Sequence, residues 1–153
     1  MLHCAAVRKG CVTGMKKSAY RLEDQVGHLL RRANQRHAAI FFDGFGHKLT
    51  PMQFAVLVKI GDEGEVSQNL LGRLAAMDPA TVQGVVRRLR ERGLIDARPD
   101  PEDGRRSLWR LSNTGKALIQ EALSKAGAIT ERTLEPLDNK ERATFLRLLR
   151  KLA

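Results

Sequence analysis

The sequence predicts a mainly α-helical protein with one small β-wing, an α+β fold. Along most of the chain, apolar residues recur every three or four positions, which gives a helix one apolar face. Around residue 100 this spacing stops, because proline, aspartate and glycine there demand a turn between two short strands. With 153 residues, 42% of them hydrophobic and 5% aromatic, the chain suits a single domain with a core large enough to fold.

The best-marked helix is predicted to run from Pro79 to Arg92. Asp78 is a good N-cap, Pro79 fits the first helical position, and Gly93 suits the left-handed residue that ends a helix. The apolar residues of this helix fall on one stripe: Val82, Val85, Val86 and Leu89. That stripe must face a core, so the helix is docked on the domain and its opposite face is free.

The free face of this helix combines small residues with long polar ones. Ala80 and Gly84 remove bulk where another surface must come close, and Thr81 lies at the edge of the face. Gln83 and Arg87 can bond bidentately to adenine and guanine edges in a major groove. The pattern therefore indicates a helix that enters a DNA groove.

Further arginines lie round or along the same helix, at Arg88, Arg90 and Arg92, where they are placed to meet phosphates. A run of charges is often only a solvated face, which is the alternative interpretation. The net charge of +10 and the pI of 10.3 imply an anionic partner, either nucleic acid or an acidic membrane surface. Because the arginines concentrate on this helix and no apolar run approaches the roughly 18 residues of a membrane span, the sequence favours nucleic acid.

Two neighbouring segments favour DNA binding over a solvated face. Upstream, Ser67, Gln68 and Asn69 open a shorter helix, and residues 77–79 form a tight break before the arginine helix. This spacing is typical of a helix-turn-helix, so Ser67 and Gln68 are also expected to contact DNA. Downstream, residues 94–98 and 107–111 predict two strands whose connecting turn carries Arg105 and Arg106. These two arginines are suited to a narrow minor groove, where arginine recognises DNA shape.

An ordered set of motifs resembles a known family. The motifs are Thr50-Pro51, Leu74-Ala75, Thr81-Val82, Arg92-Gly93-Leu94-Ile95, Asp103-Gly104-Arg105 and Leu111-Ser112-Asn113-Thr114-Gly115. Together they resemble the MarR family of winged-helix regulators, over residues 20–152. The resemblance implies a homodimer that binds a palindromic operator in double-stranded DNA, usually as a repressor released by a small ligand. Ser112 replaces the commoner threonine, and a serine also caps the next helix.

The resemblance also implies a domain organisation: a winged helix-turn-helix at residues 49–112, with N-terminal and C-terminal helices, 20–48 and 113–153, that form a dimerisation layer. Residues 1–19 are expected to be a flexible basic arm. Residues 20–27 and 34–37 look like the branch of the family that controls catabolism of aromatic acids and their coenzyme A thioesters. The expected effector is therefore an aromatic carboxylate, a phenolic compound or an aromatic acyl-CoA.

A candidate effector site lies in the first long helix. His37 lies in the middle of an apolar stripe, beside Arg36, and the pair could hold a carboxylate, phosphate or phenol. Phe41, Met52 and Phe54 are candidate walls of the same pocket. The alternative is a core histidine bonded to a backbone carbonyl or to the partner subunit, with Met52 and Phe54 as ordinary core residues.

The last helix is expected to take part in dimerisation. Asp138 and Glu141 form a capping box at its start, and its apolar face has nothing left to cover in its own subunit. That face consists of Phe145, Leu148, Leu149 and Leu152. It most simply builds a two-fold interface with the first helix, and the alternative is packing within the subunit.

Catalysis and metal binding find little support. The histidines, at positions 3, 28, 37 and 47, have no metal-binding or nucleophile-activating spacing, and no glycine-rich phosphate loop is present. Cys4 and Cys11 lie in the arm and do not make a recognisable zinc site. The arm also lacks the apolar region of a signal peptide, and Met15 is an alternative start. We therefore expect a cytoplasmic regulator without cofactor, metal or enzymatic activity; the alternative is a ligand-independent architectural DNA-binding protein.

Overall fold

The computed structural model describes residues 21–104 and 106–153. After a short 3-10 helix, Leu22–Asp24, the elements are α1 (Val26–Phe45), α2 (Pro51–Glu63), β1 (Val66–Ser67), α3 (Gln68–Leu74), α4 (Pro79–Glu91), β2 (Ile95–Pro99), β3 (Ser107–Leu111), α5 (Asn113–Leu134) and α6 (Asn139–Leu152). The predicted mainly helical architecture with a small wing is confirmed. No helix in the described ranges is long and apolar enough to cross a membrane.

Each helix after α1 begins where a capping side chain stands in the sequence. Thr50 and Gln53 form a reciprocal capping box at α2, with bonds of 3.1 and 3.2 Å between backbone N–H and side-chain oxygen. Asp138 and Glu141 form a second box at α6. The remaining caps are Ser67, Asp78 and Ser112. These short-range bonds satisfy backbone N–H groups that have no partner inside the helix, which explains why the predicted starts are correct.

The wing belongs to a three-stranded antiparallel sheet with the order β1-β3-β2. Trp109 in β3 pairs with Val66 on one side and Ala97 on the other. The first wing strand begins at Ile95 rather than at the predicted Leu94, whose N–H still bonds to the carbonyl of Leu89 at 3.0 Å. The sequence did not predict β1, because two residues are too few to show an alternating pattern.

The chain divides into two compact units, Met1–Ala33 and Asn34–Ala153. In the first unit the structure describes residues 21–33, whose large apolar side chains are exposed: Leu22, Val26, Leu29 and Leu30. The first long helix, expected within residues 20–48, begins at Val26 and is preceded by a 3-10 turn. Tyr20, the arm, and its Cys4 and Cys11 lie outside the described residues.

The core of the second unit is built around α2, which contacts α3, α4, α5 and β3. Val56, Leu57 and Ile60 of α2 are fully buried. The predicted apolar stripe of α4 is buried against them in the same cluster. Since the stripe is fully used by the core, the opposite face of α4 is turned to the outside, which is what positions the candidate site.

The end of α4 and the start of α5 approach each other closely. The carbonyl of Leu94 accepts a hydrogen bond from the Ser112 N–H at 3.1 Å. The Ser112 hydroxyl donates to the carbonyl of Gly93 at 2.7 Å and accepts from the N–H of Gly115 at 3.0 Å. A Cβ atom at residue 115 would overlap the carbonyl oxygen of Leu94, so only glycine fits this position. Gly93 itself has φ of 65°, the left-handed conformation expected after α4.

Gly115→Ala is predicted to destabilise the fold. The added methyl group must push the start of α5 away from the backbone of Leu94, and overpacking of this kind costs about 1–3 kcal/mol, occasionally more. Gly127→Ala in the same helix is the matched control, because no atom lies within 4 Å of a Cβ built there and alanine favours a helix. The free energy of unfolding is measured in urea. Equal stability of the two variants would contradict the close approach.

Candidate nucleic-acid interface

The outer surface of α4 carries the residues predicted to read DNA. Ala80, Gln83 and Arg87 are exposed, and Thr81 and Gly84 are half-buried. We call these five residues the reading face. Because Gly84 has no side chain, another surface can come close to the helix backbone at the middle of this face, between the longer side chains. The opposite stripe is buried, so the reading face is presented by a helix that cannot turn on its axis.

The arginines of the outer surface differ in whether their guanidinium groups contact another residue of the protein. The Nε of Arg87 lies 3.8 Å from a carboxylate oxygen of Glu91, too far for a hydrogen bond, and both side chains are mostly exposed. The guanidinium groups of Arg88 and Arg90 make no hydrogen bond or ion pair with any described residue. An exposed ion pair in water is weak, so all three guanidinium groups remain available to an anionic partner.

The start of α4 is held by Asp78. Its carboxylate accepts from the Thr81 N–H at 2.9 Å and from the Thr81 hydroxyl at 2.6 Å. These bonds, the hydroxyl bond above all, hold the pKa of Asp78 below its usual value. The hydroxyl proton of Thr81 is therefore already used, which leaves its methyl group and its oxygen lone pairs for contacts with a partner.

Arg92 differs from Arg88 and Arg90 because its guanidinium group is bound within the protein. One guanidinium nitrogen donates to the carbonyl of Lys48 at 2.7 Å, and the other donates to the side-chain oxygen of Gln53 at 3.2 Å. Both acceptors lie at the beginning of α2 or in the loop before it. Arg92 is thus tied to the body of the protein, and its expected phosphate contact stays a prediction.

A groove lies between the N-terminal half of α3 and the wing. Its volume is about 560 Å³, and it is lined by Ser67, Gln68, Asn69, Arg73, Arg106, Ser107 and Trp109. A second groove, of about 310 Å³, lies between α3 and the first turn of α4 and is lined by Gln68, Asn69, Gly72, Arg73, Met77, Pro79 and Val82. The predicted contact residue Gln68 borders both, so the polar side of α3 stands next to the reading helix.

Four residues of the first groove were not predicted to contact DNA: Asn69, Arg73, Ser107 and Trp109. Arg73 lies one helical turn after Asn69 and is exposed, and its side chain makes no hydrogen bond or ion pair within the described part of the chain. Its spacing from Asn69 was the signal that could have found it. Trp109 is buried, and its Nε1 has no hydrogen-bond partner among the described residues. Only the pairing of β3 with β1 brings this residue beside α3.

Two ion pairs brace the wing, one at its tip and one in the strand next to the tip. At the tip, Arg106 lies 3.1 Å from the carboxylate of Asp103, and its neighbour Arg105 lies outside the described residues. In the half of β2 nearer the tip, where Arg98 pairs with Leu108, the Nε of Arg98 donates to one oxygen of Glu65 at 2.7 Å and a second guanidinium nitrogen binds the other oxygen. This bidentate hydrogen bond is the main reason why the pKa of Glu65 lies below its usual value.

The residues of the candidate effector site are only partly brought together. The side chain of Arg36 donates to the carbonyl of Arg132 at 3.2 Å, so it is held at the end of α5. The ring of Phe41 is buried and lies 6.1 Å from the ring of His37 and 5.7 Å from that of Phe54. Phe41 and Phe54 thus pack in the aromatic core, in line with the core alternative for Phe54. Met52 is 51% exposed, so the core alternative is wrong for that residue.

The hydrogen bonds around His37 decide which ring nitrogen is free. Its Nδ1 lies 3.1 Å from the hydroxyl oxygen of Thr133. That hydroxyl has one proton and also lies 2.8 Å from the carbonyl oxygen of Ile129, so both bonds are kept only when Nδ1 carries a proton and donates it. The Nε2 atom has no partner among the described residues. It accepts a hydrogen bond when the ring is neutral and donates one when the ring is protonated. No group of three or more potential ligands in the described ranges is placed to hold a metal ion.

Comparisons with known proteins identify relatives along most of the chain. A MarR family model matches residues 47–106. The chain is 40% identical over 139 residues to the HTH-type transcriptional repressor NicR of Pseudomonas putida, covering 90% of this chain and 88% of NicR. The crystal structure of a probable transcriptional regulator from Pseudomonas aeruginosa matches with a TM-score of 0.82 and 50% identity, covering 87% of this chain and 100% of that one. Bordetella bronchiseptica BpsR, whose DNA binding is regulated by 6-hydroxynicotinic acid, matches with a TM-score of 0.82 and 43% identity, covering 88% of this chain and 97% of BpsR.

The fluorescence of Trp109 is predicted to change when duplex DNA binds. Trp109 is the only tryptophan in the chain and lines the groove between α3 and the wing, so its emission reports on that groove. Titration with a duplex should give a saturable, salt-dependent change, and Arg73→Gln should shift the titration to higher DNA concentration. Arg147→Gln on α6 removes the same charge far along the chain and is the control. Constant emission while polarisation of labelled DNA reports binding would contradict this placement.

Proposed function

The chain belongs to the MarR family of transcriptional regulators, and from that premise we propose that it is a homodimeric repressor whose operator binding is released by a small aromatic acid. The reading face of α4 carries this proposal. Small residues and long polar ones alternate there on a helix whose other side is buried, which is the arrangement that a major groove requires. Two of the relatives support the same function: NicR is a repressor, and the DNA binding of BpsR is regulated by 6-hydroxynicotinic acid.

On DNA, the contacts divide into those that read bases and those that hold the backbone. Gln83 and Arg87 read base edges, while Ala80, Thr81 and Gly84 let the helix approach them. Backbone phosphates are contacted from α4 and α3, by Arg88, Arg90, Arg73, Ser67 and Gln68. The wing tip, with Arg105 and Arg106, enters the flanking minor groove, where arginine responds to groove width.

Dimerisation is proposed for residues 20–48 and 113–153, which leaves 49–112 as the DNA-binding region. None of the residues of α6 is buried, although its sequence has a strong apolar side. Phe145, Leu148 and Leu152 of this side are exposed. A two-fold partner would cover them and would set two α4 helices about 34 Å apart, one turn of B-DNA, so that each reads half of a palindrome.

Replacing Arg87 and Arg90 separates base reading from backbone binding. Arg87→Ala is predicted to weaken binding to the operator by about 1–3 kcal/mol and to leave random DNA nearly unchanged. Arg90→Ala is predicted to weaken both alike and to lower the salt slope by about 1. The operator is selected from fragmented DNA by the purified protein, and affinities are measured by fluorescence polarisation at several salt concentrations. Equal losses on both duplexes for Arg87→Ala would refute the base-reading role.

The effector site is proposed to lie around His37 and Arg36. The Nε2 of His37 can bind the hydroxyl group or the carboxylate of an aromatic acid. The preceding residue, Arg36, supplies a positive charge. Phe41, Phe54 and Met52 would contact the aromatic ring. An aromatic carboxylate, a phenolic compound or an aromatic acyl-CoA fits this set. Such a ligand can release DNA only if it binds the DNA-free arrangement of the dimer more tightly.

A thermal-shift titration with 6-hydroxynicotinic acid and related hydroxylated aromatic acids tests the effector site. At least one of them is predicted to raise the melting temperature and to weaken operator binding. His37→Gln should reduce its affinity by roughly tenfold, about 1.4 kcal/mol, and should leave operator binding without ligand unchanged. His47→Gln is the control, because His47 stacks on Phe42 outside this site. No response to any compound, with equal affinity for all duplexes, would favour a ligand-independent architectural protein instead.

A further inference from the structure

The end of the reading helix is connected to α5 through hydrogen bonds that pass through the backbone and the side chain of Lys48. The guanidinium of Arg92 binds the carbonyl of Lys48 at 2.7 Å and the side chain of Gln53 at 3.2 Å. The ammonium group of Lys48 in turn binds both carboxylate oxygens of Glu121 in α5, at 3.0 and 3.1 Å. We call Arg92, Gln53, Lys48 and Glu121 the Arg92 link.

The α5 end of the link stays charged near neutral pH. Glu121 also accepts from Lys125 at 2.8 Å, and the hydrogen bonds from Lys125 and Lys48 lower the pKa of Glu121 to about 2. The carboxylate is thus ionised, and it holds Lys48 from two oxygens. The side chains of Lys48 and Glu121 are 55% and 42% exposed, so the loop and α5 are connected here by an ion pair at the surface.

The middle of the link is a loop with little freedom. The N–H of Lys48 bonds to the carbonyl of Phe45 at 3.1 Å, and the next residue, Leu49, is 1% exposed. Gln53 belongs to the capping box with Thr50, and the same side-chain oxygen that completes the box accepts from Arg92. Because the loop is bonded to α1, buried by Leu49 and capped onto α2, it is held as a unit between α4 and α5.

Arginine is suited to this place by its shape. Its planar group has several N–H donors in a fixed fork, so that it can bind a carbonyl and an amide oxygen together. Arg90 stands two residues earlier, which turns its side chain by about 200° round the helix, and it has no partner among the described residues. Two neighbouring arginines of α4 therefore face different surroundings.

We propose that Arg92 is a positioning residue, which couples the placement of the reading helix to α5 through Lys48 and Glu121. The proposal rests on the proposed function, because it explains how a change in the helices beside the effector site alters DNA binding. When α5 shifts, the loop and Arg92 shift with it, and the reading face is displaced from its half-site. Arg92 does not itself contact DNA.

Arg92→Gln and Arg90→Gln remove the same charge from the same end of α4. Arg90→Gln is expected to weaken operator and random DNA alike, to lower the salt slope by about 0.9, and to keep the factor by which the effector weakens operator binding. Arg92→Gln is expected to keep the salt slope and to lower the ratio of operator affinity to random-DNA affinity by roughly tenfold. In this variant the effector is expected to weaken operator binding little or not at all, so that the factor comes towards 1. If Arg92→Gln behaves as Arg90→Gln does, the proposal is overturned.

Hydrogen exchange tests the link independently of DNA and effector. Glu121→Gln changes α5 only, yet it is expected to speed amide exchange severalfold at residues 88–94, as Arg92→Gln does. The double variant should exchange no faster than Arg92→Gln alone, because both changes break one link. Lys125→Gln, which leaves the bond between Lys48 and Glu121 in place, is the control and should have a smaller effect. Unchanged exchange at 88–94 in Glu121→Gln would overturn the proposal, whereas failure of operator selection would count only against the proposed function.

Discussion

The close approach of α5 to the end of α4 is the constraint on which the other features depend. At Gly115 the helix backbone touches the carbonyl of Leu94 with no room for a Cβ atom, and the Ser112 hydroxyl joins the two segments by a second contact. The reading helix, the first wing strand and α5 all begin or end within this junction. Since packed interiors transmit displacement instead of absorbing it, a shift of one of these three elements displaces the other two.

Helix geometry divides the residues of α4 and its C-terminal end into three sets. Each residue turns the helix by about 100°, so the buried stripe, the reading face and the tethered end lie at different angles round one axis. Arg87 and Arg90 remain free for an anionic partner, while Arg92 is bound by the loop before α2. Arginines close together in this part of the chain therefore have two different roles: some are available to bind DNA, and one binds the body of the protein.

The candidate DNA surface extends beyond α4 because the small sheet brings distant segments together. β1 is only two residues long, yet its pairing with β3 places Trp109 beside the polar side of α3. The bidentate pair of Arg98 and Glu65 holds β2 against the segment that precedes β1. These contacts set the distance between α3 and the wing, and so they shape the groove that Arg73 borders.

The sequence by itself determined the features that depend on near neighbours. Helix starts at Thr50, Asp78 and Ser112, the buried stripe of α4 and the wing turn were all predictable, because caps, periodicity and turn residues act within a few positions. Only the tertiary structure decided the partners of Arg92, which are 39 and 44 residues away, and of Arg98, which is 33 residues from Glu65. An exposed arginine and a tethered one look alike in sequence, since the acceptors that distinguish them are brought near only when the chain folds.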